Sequence, residues 1–265
     1  MVSFHTRALL FFGFSLLHCH AAQAITIDDL QVDSVVESSA VVGESVSATI
    51  PNSEGTLGGK RQIEVVKTTV GNGVVRVATG AESESVRTLD FGLGNHEGLA
   101  TITWDGDSSP ETLAANGLGS IDITQDKGTA FQLPLLRFDY AFSRRALISL
   151  RLYDSQAVDG TKYSEVTVAL DQMWNGSEPF ILSIPFALFL SVSDGTISAP
   201  NNTSFRTSTT FGPNGMADIT RVGAISLSIE GFGSDITFGA LSTNGTCTSV
   251  VDKSGAVVDQ CGVCL

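Results

Sequence analysis

The chain alternates apolar and polar residues with a period of two through most of its length. Segments such as "RQIEVVKTTV", "GLATITWDG", "ALISLRLYD", "SEVTVAL" and "VGAISLSIEG" are rich in Val, Ile and Thr, and Gly, Asn, Asp and Ser fill the gaps between them. Such segments are typical of β-strands that bury one face. About ten strands at short spacing, with no convincing amphipathic helix, predict an all-β fold, an antiparallel β-sandwich of the jelly-roll type.

Three local patterns refine this prediction. The segment "AFQLPLLRFDYAF" is apolar almost throughout, which indicates a strand at the centre of a sheet. Residues 193–215 are rich in Gly, Ser, Asn and Thr and predict a long loop. In "LATITW" the alternation places Ala100, Ile102 and Trp104 on one face, so we expect Trp104 to be a core residue.

The N-terminus has the pattern of a secretory signal peptide over residues 1–24. Arg7 precedes an apolar run over 8–17, and Ala22-Gln23-Ala24 forms a small-x-small cleavage site. The apolar run is too short to span a bilayer. We therefore expect a protein that is secreted to the extracellular space or cell surface, with no membrane insertion after cleavage and a β-sandwich domain over 25–245.

Charge and histidine content narrow the function classes. The formal net charge is −13, so nucleic acid and anionic lipid are poor partners. Of four His residues, only His96 lies outside the signal peptide. A zinc site of several imidazoles or a Ser-His-Asp triad is therefore disfavoured. The Gly-flanked setting of His96, "GNHEG", predicts a solvated turn, and we expect no cofactor.

Asp105 and Asp107 are the candidate metal ligands. In "TWDGDSSPE" they are spaced as the first oxygens of a calcium loop are, which leaves a structural calcium open. The segment lacks the Gly and Glu that complete an EF-hand loop. The alternative is a tight turn that ends a strand.

Trp174 and Tyr163 are the candidate ligand-binding residues. Trp174 lies in the polar segment "LDQMWNGSEP", and an exposed indole can stack on the apolar face of a sugar ring. The alternative is a loop anchor that folds over the edge of the sandwich. Sequons predict N-glycosylation in exposed loops of a secreted protein, at Asn175, Asn201, Asn202 and Asn244.

Catalysis by a glycosidase would require two carboxylates that face one another across a sugar. The sequence contains several candidates but does not pair them: Glu97, Asp105, Asp107, Asp139, Asp154 and Glu165.

The C-terminal segment 246–265 carries Cys247, Cys261 and Cys264. Three cysteines without a histidine do not complete a zinc site, and the segment lacks the helix that a redox CxxC motif occupies. Disulfide bonding in an oxidising compartment fits better, with one thiol left over or paired with an external partner.

Two resemblances bear on these predictions. The order "GLATITWDGDSS", "AFQLPLLRFD", "ISLRLYD", "PFILSIPFALF" and "DITRVGAISLSIEG" resembles secreted bacterial β-sandwich proteins and, more loosely, the jelly rolls of carbohydrate-binding modules. "NGTCTSVVDKSGAVVDQCGVCL" resembles the opening of an extracellular Cys-rich repeat of the CGVCGGD type. The first resemblance implies a fold more than an activity, because its motifs pack sheets.

These observations predict a secreted protein that is not an enzyme, a recognition or display domain whose partner is carbohydrate or another extracellular surface component. One alternative is a structural or adhesive component without a small ligand. A further alternative is a polysaccharide-active enzyme that uses paired carboxylates.

Overall fold

The computed structural model describes residues 24–51, 55–70, 73–83, 86–93, 96–109, 112–140, 146–170, 179–192, 194–198, 204–244, 249–251 and 257–259. The expected signal peptide lies outside these ranges except for its last residue, as does most of the C-terminal segment. Within the described ranges, no helix is long and apolar enough to cross a membrane.

The described residues form eighteen strands, which alternate along the chain with short turns. Their bounds are β1 Thr26–Asp28, β2 Ser34–Glu37, β3 Ser45–Pro51, β4 Lys60–Lys67, β5 Arg76–Ser83, β6 Val86–Gly92, β7 Glu97–Trp104, β8 Ala130–Tyr140, β9 Ala146–Asp154, β10 Tyr163–Leu170, β11 Phe180–Pro185, β12 Asp194–Ser198, β13 Ser204–Phe211, β14 Val222–Phe232, β15 Ser234–Phe238, β16 Leu241–Thr243, β17 Ser249–Val251 and β18 Val257–Asp259. Short 3-10 helices span Leu57–Gly59, Gln125–Lys127 and Phe186–Leu190.

Two eight-stranded antiparallel sheets make up the domain. The first has the order β1-β16-β8-β15-β6-β5-β2, with β11 also paired to β8, and the second has the order β12-β13-β10-β9-β14-β7-β4-β3. Strands β17 and β18 form a separate hairpin. Strand β8 lies at the centre of the first sheet, because Leu135 pairs with both Phe180 of β11 and Phe238 of β15. The predicted antiparallel β-sandwich and the central position of "AFQLPLLRFDYAF" are confirmed.

The core lies between the two sheets and follows the alternation of the sequence. In β7, Ala100, Ile102 and Trp104 are buried while the residues between them are half-buried. This confirms that Trp104 is a core residue.

Two sequence expectations are wrong. Residues 193–215 do not form one long loop, because β12 and β13 pair as a hairpin within this range. In β13 the buried Thr207 and Thr209 alternate with exposed residues, and this strand pattern is hard to recognise because Thr takes apolar positions.

His96 is buried and not solvated. Its ring occupies space that a side chain on Gly73 would fill.

A buried ion pair connects the two sheets. Arg61 of β4 donates from Nη1 to both carboxylate oxygens of Asp28 of β1, at 3.0 and 2.8 Å. Both side chains are 0% exposed. Trp104 Nε1 donates to Asp28 Oδ2 at 2.9 Å, and Arg61 Nη2 donates to Thr79 Oγ1 of β5 at 3.1 Å. Polar groups thus connect the two sheets inside the core here.

Candidate functional site

A depression lies on the outer face of the first sheet, over β5, β6, β8 and β15. It consists of two adjoining cavities of about 600 and 310 Å3. The depression forms because small residues, Ala78, Gly80 and Gly92, occupy outward positions of β5 and β6 where longer side chains would fill it. Both cavities are lined by Arg76, Ala78, Asp90, Arg137 and Thr237.

Two carboxylates, Asp90 and Asp235, line the smaller cavity of this depression. Asp90 of β6 pairs with Thr237 of β15, while Asp235 of β15 pairs with Gly92 of β6. The two aspartates are therefore diagonal neighbours on adjacent antiparallel strands, and such a diagonal places Cβ atoms about 7 Å apart. Because Gly92 has no side chain, the Asp235 carboxylate can lie over it, with Oδ1 3.4 Å from the position that a Cβ would take.

The two carboxylates are held differently. Asp90 accepts hydrogen bonds from the hydroxyls of Thr237, at 2.7 Å to Oδ1, and of Thr88, at 3.2 Å to Oδ2. Both oxygens of Asp90 thus act as acceptors. Asp235 accepts from the backbone amide of Leu93 at 3.3 Å to Oδ1. The contact to Asp235 is longer and comes from the main chain, so its side chain is fixed less firmly than that of Asp90.

Arginines bring positive charge to the same depression. Arg137 of β8 pairs with Thr237, on the side opposite to Asp90. Arg76 of β5 lies 3.6 Å from the carboxylate of Glu37, and both side chains are half exposed. Guanidinium and carboxylate groups around an open space can donate to and accept from the hydroxyls of a polar ligand.

The predicted metal ligands have other partners in the protein. Asp105 is 1% exposed; its Oδ1 accepts from Gln62 Nε2 and the Asp107 amide, each at 3.0 Å, and its Oδ2 accepts from the Ala114 amide at 2.9 Å. Asp107 accepts from the amide of Ser108. Asp105 therefore closes a turn after β7. No group of three or more His, Cys, Asp or Glu suited to a metal occurs in the described ranges, and the calcium stays a prediction.

Tyr163 begins β10 on the outer face of the second sheet. The guanidinium carbon of Arg151 lies 4.3 Å from its ring centroid, and the ring of Tyr153 lies 6.0 Å away. Arg151 also forms an ion pair with Glu165 at 2.6 Å. Burial lowers the pKa of Arg151, but the neighbouring Tyr153 hydroxyl and the Glu165 carboxylate outweigh this effect, and the net shift is upward.

Most of the other predicted site residues lie outside the described ranges. These are Trp174, Asn175, Asn201, Asn202, Cys247, Cys261 and Cys264. Asn244 is described, and its side chain ties the end of β16 to the start of β8. Its Oδ1 accepts from the amides of Thr129 and Ala130, both at 2.7 Å, and its Nδ2 donates to Thr129 Oγ1 at 2.9 Å. Glycosylation at the four sequons stays a prediction.

The sequence analysis missed Asp90 and Asp235. Alternation in "VRTLDFG" does place Thr88 and Asp90 on one face, opposite to Leu89 and Phe91. Their partners lie far along the chain, however, and Thr237 is 147 residues from Asp90. Only the pairing of β6 with β15 reveals that the two carboxylates are neighbours.

Comparison with known proteins returns similarity of fold. No family model matches the sequence. No curated protein matches it either. Among solved structures, a loop-swap mutant of Xyn11A from Neocallimastix patriciarum has 9% identity and a TM-score of 0.32, covering 80% of this chain and 100% of that chain. The family 11 xylanase of the same organism has 11% identity and a TM-score of 0.29, covering 75% of this chain and 100% of that chain.

This comparison contradicts the prediction of a non-catalytic recognition or display domain. The two solved structures named above are xylanases. The prediction failed because its motifs pack sheets, and a sandwich fold is shared by proteins of unrelated functions. At 9% and 11% identity the likeness concerns the fold, so it neither confirms nor refutes the companion prediction that the chain is not an enzyme.

Proposed function

We propose that this protein is a secreted polysaccharide-active enzyme that hydrolyses glycosidic bonds with Asp90 and Asp235. The observation that carries the proposal is the placement of two differently held carboxylates as diagonal neighbours in one depression. Glycoside hydrolysis requires two carboxyl groups on either side of the scissile bond, one as an acid and the other as a base or nucleophile. The N-terminal signal pattern supports the secreted location.

The spacing favours hydrolysis with inversion. Inverting enzymes separate their carboxyl groups by about 6.5–9.5 Å, which leaves room for a water molecule, whereas retaining enzymes separate them by about 5–5.5 Å. Diagonal neighbours on adjacent strands have Cβ atoms somewhat less than about 7–8 Å apart. The hydrogen bonds turn the two carboxylates away from one another, that of Asp90 towards Thr88 and Thr237 and that of Asp235 towards Leu93, which favours the longer separation. The water and the anomeric carbon would lie in the cavity that both carboxylates line.

The hydrogen bonds around the two carboxylates support one division of roles. The hydroxyls of Thr88 and Thr237 donate hydrogen bonds to both carboxylate oxygens of Asp90. We therefore take Asp90 as the base that accepts a proton from water. Asp235 is the acid that gives its proton to the leaving glycosidic oxygen. The water oxygen then bonds to the anomeric carbon as the carbon–oxygen bond to the leaving sugar breaks. One proton is accepted and one is donated, so each turnover must end with a proton returned from Asp90 to Asp235 through solvent.

The shape of the site suits a polymer better than a small molecule. The depression opens on the face of the sheet and extends from Asp33 beside β2 to Asp235 on β15. A chain can therefore lie across several strands without threading through an enclosed cavity. Since both arginines and aspartates line it, hydroxyl groups of sugars find donors and acceptors along its length.

The test is hydrolysis of soluble polysaccharides, including xylan, by the purified protein. Asp90→Asn and Asp235→Asn keep side-chain volume and remove the acid or base, so we expect a loss of about 100-fold or more in rate for each. Glu230→Gln, an exposed position on β14 of the opposite sheet, is the matched control and is expected to retain the full rate. Product analysis by NMR is expected to show inversion at the anomeric carbon. No hydrolysis across the panel, or full activity in both Asn variants, would overturn the proposal.

A further inference from the structure

A second polar surface lies on the outer face of the second sheet, on the opposite side of the sandwich from the depression. It follows β10, whose outward residues are Tyr163, Glu165, Thr167 and Ala169. We call this strip, with the side chains that flank it on β9, β12 and β13, the β10 surface. The residues that face the core from β10, such as Val166 and Val168, are fully buried.

One end of the β10 surface is aromatic and charged. Tyr163 is half-buried, and Arg151 of β9 lies against its ring. The Nε of Arg151 donates to Glu165 Oε2 at 2.7 Å, and its Nη1 donates to the Tyr153 hydroxyl at 3.2 Å. These contacts hold Tyr163 and Glu165 in fixed orientations, so a ligand that binds there meets a preformed arrangement.

The other end is a cavity. It has a volume of about 420 Å3 and is lined by Leu147, Thr167, Ala169, Asp194, Gly195, Arg206, Thr207 and Ser208. The outward side chains of β10 and β13 at the floor of this cavity are small. The longer side chains of Leu147, Asp194 and Arg206 surround the floor. Thr167 lies four positions after Tyr163, which corresponds to about 13 Å along a strand.

We propose that a neutral polysaccharide chain binds along the β10 surface, with one sugar against Tyr163 and others reaching the cavity beside Arg206. An aromatic ring packs against the apolar C–H face of a sugar, and the charged groups exchange hydrogen bonds with its hydroxyls. Arg151 is paired with Glu165, and Arg206 shares its cavity with Asp194. The charges of this surface are therefore balanced, which favours a neutral polymer over an anionic one.

The inference depends on the proposed function in one respect only, namely that the bound polymer is a polysaccharide. The β10 surface and the depression lie on opposite faces, so one polymer, or two neighbouring chains, can occupy both. Attachment at the β10 surface raises the local concentration of chain segments around the depression. The consequence is faster hydrolysis of long chains, with no effect on short oligosaccharides that reach only the depression.

The test measures binding of the full chain carrying Asp90→Asn, so that hydrolysis does not interfere. The probes are soluble β-glucan and galactomannan, with polygalacturonate as the anionic comparison, and the assay is retardation in polysaccharide-containing native gels. We expect Tyr163→Ala and Arg206→Ala each to weaken binding of at least one neutral polymer about fivefold or more, consistent with loss of one aromatic contact or one charged hydrogen bond. Tyr163→Phe, which keeps the ring, is expected to bind within twofold of the parent.

Arg206 is exposed, so its substitution keeps the test valid if Tyr163→Ala fails to fold. Unchanged binding in both variants, absence of binding to both neutral polymers, or equally tight binding of polygalacturonate would overturn the inference. The two proposals fail in different ways. A wild-type protein that binds neutral polymer through Tyr163 but hydrolyses nothing refutes the enzyme and supports the β10 surface. Hydrolysis of long chains that is undiminished in Tyr163→Ala and Arg206→Ala refutes the β10 surface alone.

Discussion

The ion pair between Arg61 and Asp28 allows the sharpest test of how the two sheets are held together. Replacing Asp28 by Ala leaves a fully buried guanidinium without a carboxylate and removes the acceptor of Trp104 Nε1. Breaking a buried pair by removing one partner costs about 3–5 kcal/mol, because the remaining charge stays desolvated. An unsatisfied indole N–H adds about 1 kcal/mol or more. We therefore expect the free energy of unfolding to fall by at least about 3 kcal/mol.

The assay is urea unfolding at pH 7 followed by tryptophan fluorescence, since Trp104 contacts the site of the change. The control is Asp33→Ala, which breaks a pair with Arg87 at 2.7 Å in which the aspartate is 73% exposed. Solvent screens that pair, so the expected loss is about 0–1 kcal/mol. Asp28→Asn, which keeps an acceptor for Trp104 but removes the charge, is expected to lie between the two. A loss below about 1 kcal/mol for Asp28→Ala, equal to that of the control, would refute the reasoning.

Three further predictions concern pH, the depression and the end of β16. Burial raises the pKa of Asp154, but hydrogen bonds from Lys162, two backbone amides and Arg221 outweigh it and lower the pKa below the ordinary 3.8. This stabilisation is present above the unfolded pKa and is lost as the pH falls through the lower folded pKa. The difference in unfolding free energy between wild type and Asp154→Asn should therefore shrink as the pH falls below about 4; a constant difference would contradict this. Gly92→Val places methyl groups in the space beside Asp235. It should lower the rate of polysaccharide hydrolysis at least tenfold and leave the melting temperature unchanged. An unchanged rate would mean that the substrate does not use this space. Asn244→Ala leaves backbone amides at the start of β8 without an acceptor and should cost about 1–3 kcal/mol in urea unfolding, whereas a neutral effect would show that water replaces the side chain.

The strands whose sequences alternate clearly were predicted well. The segment "ALISLRLYD" forms β9 over Ala146–Asp154, and "LATITW" lies in β7 with Trp104 buried, because a period of two puts one face in the core. Strands β12 and β13, which carry Gly or Thr at inward positions, were missed. In β13 buried Thr207 and Thr209 take apolar positions, and in β12 Gly195 replaces an apolar residue.

The candidate site could not be found in the same way. Local patterns report which face a residue occupies, but not which strand lies beside it. Asp90 and Asp235 become a pair only through the antiparallel pairing of β6 and β15, and Arg61 meets Asp28 only through the stacking of the two sheets. The sequence offered several carboxylates as candidates but did not pair them. One of them, Asp105, closes a turn through hydrogen bonds to its own neighbourhood.

The central claim is that Asp90 and Asp235 hydrolyse polysaccharide together. The most direct measurement is the initial rate of reducing-end release from one soluble polysaccharide by the wild type, the two Asn variants and Glu230→Gln, under the same conditions and at equal folded concentration. The account predicts activity in the wild type and Glu230→Gln, and a loss of about 100-fold or more in Asp90→Asn and in Asp235→Asn. An active wild type whose rate survives both aspartate substitutions would contradict it.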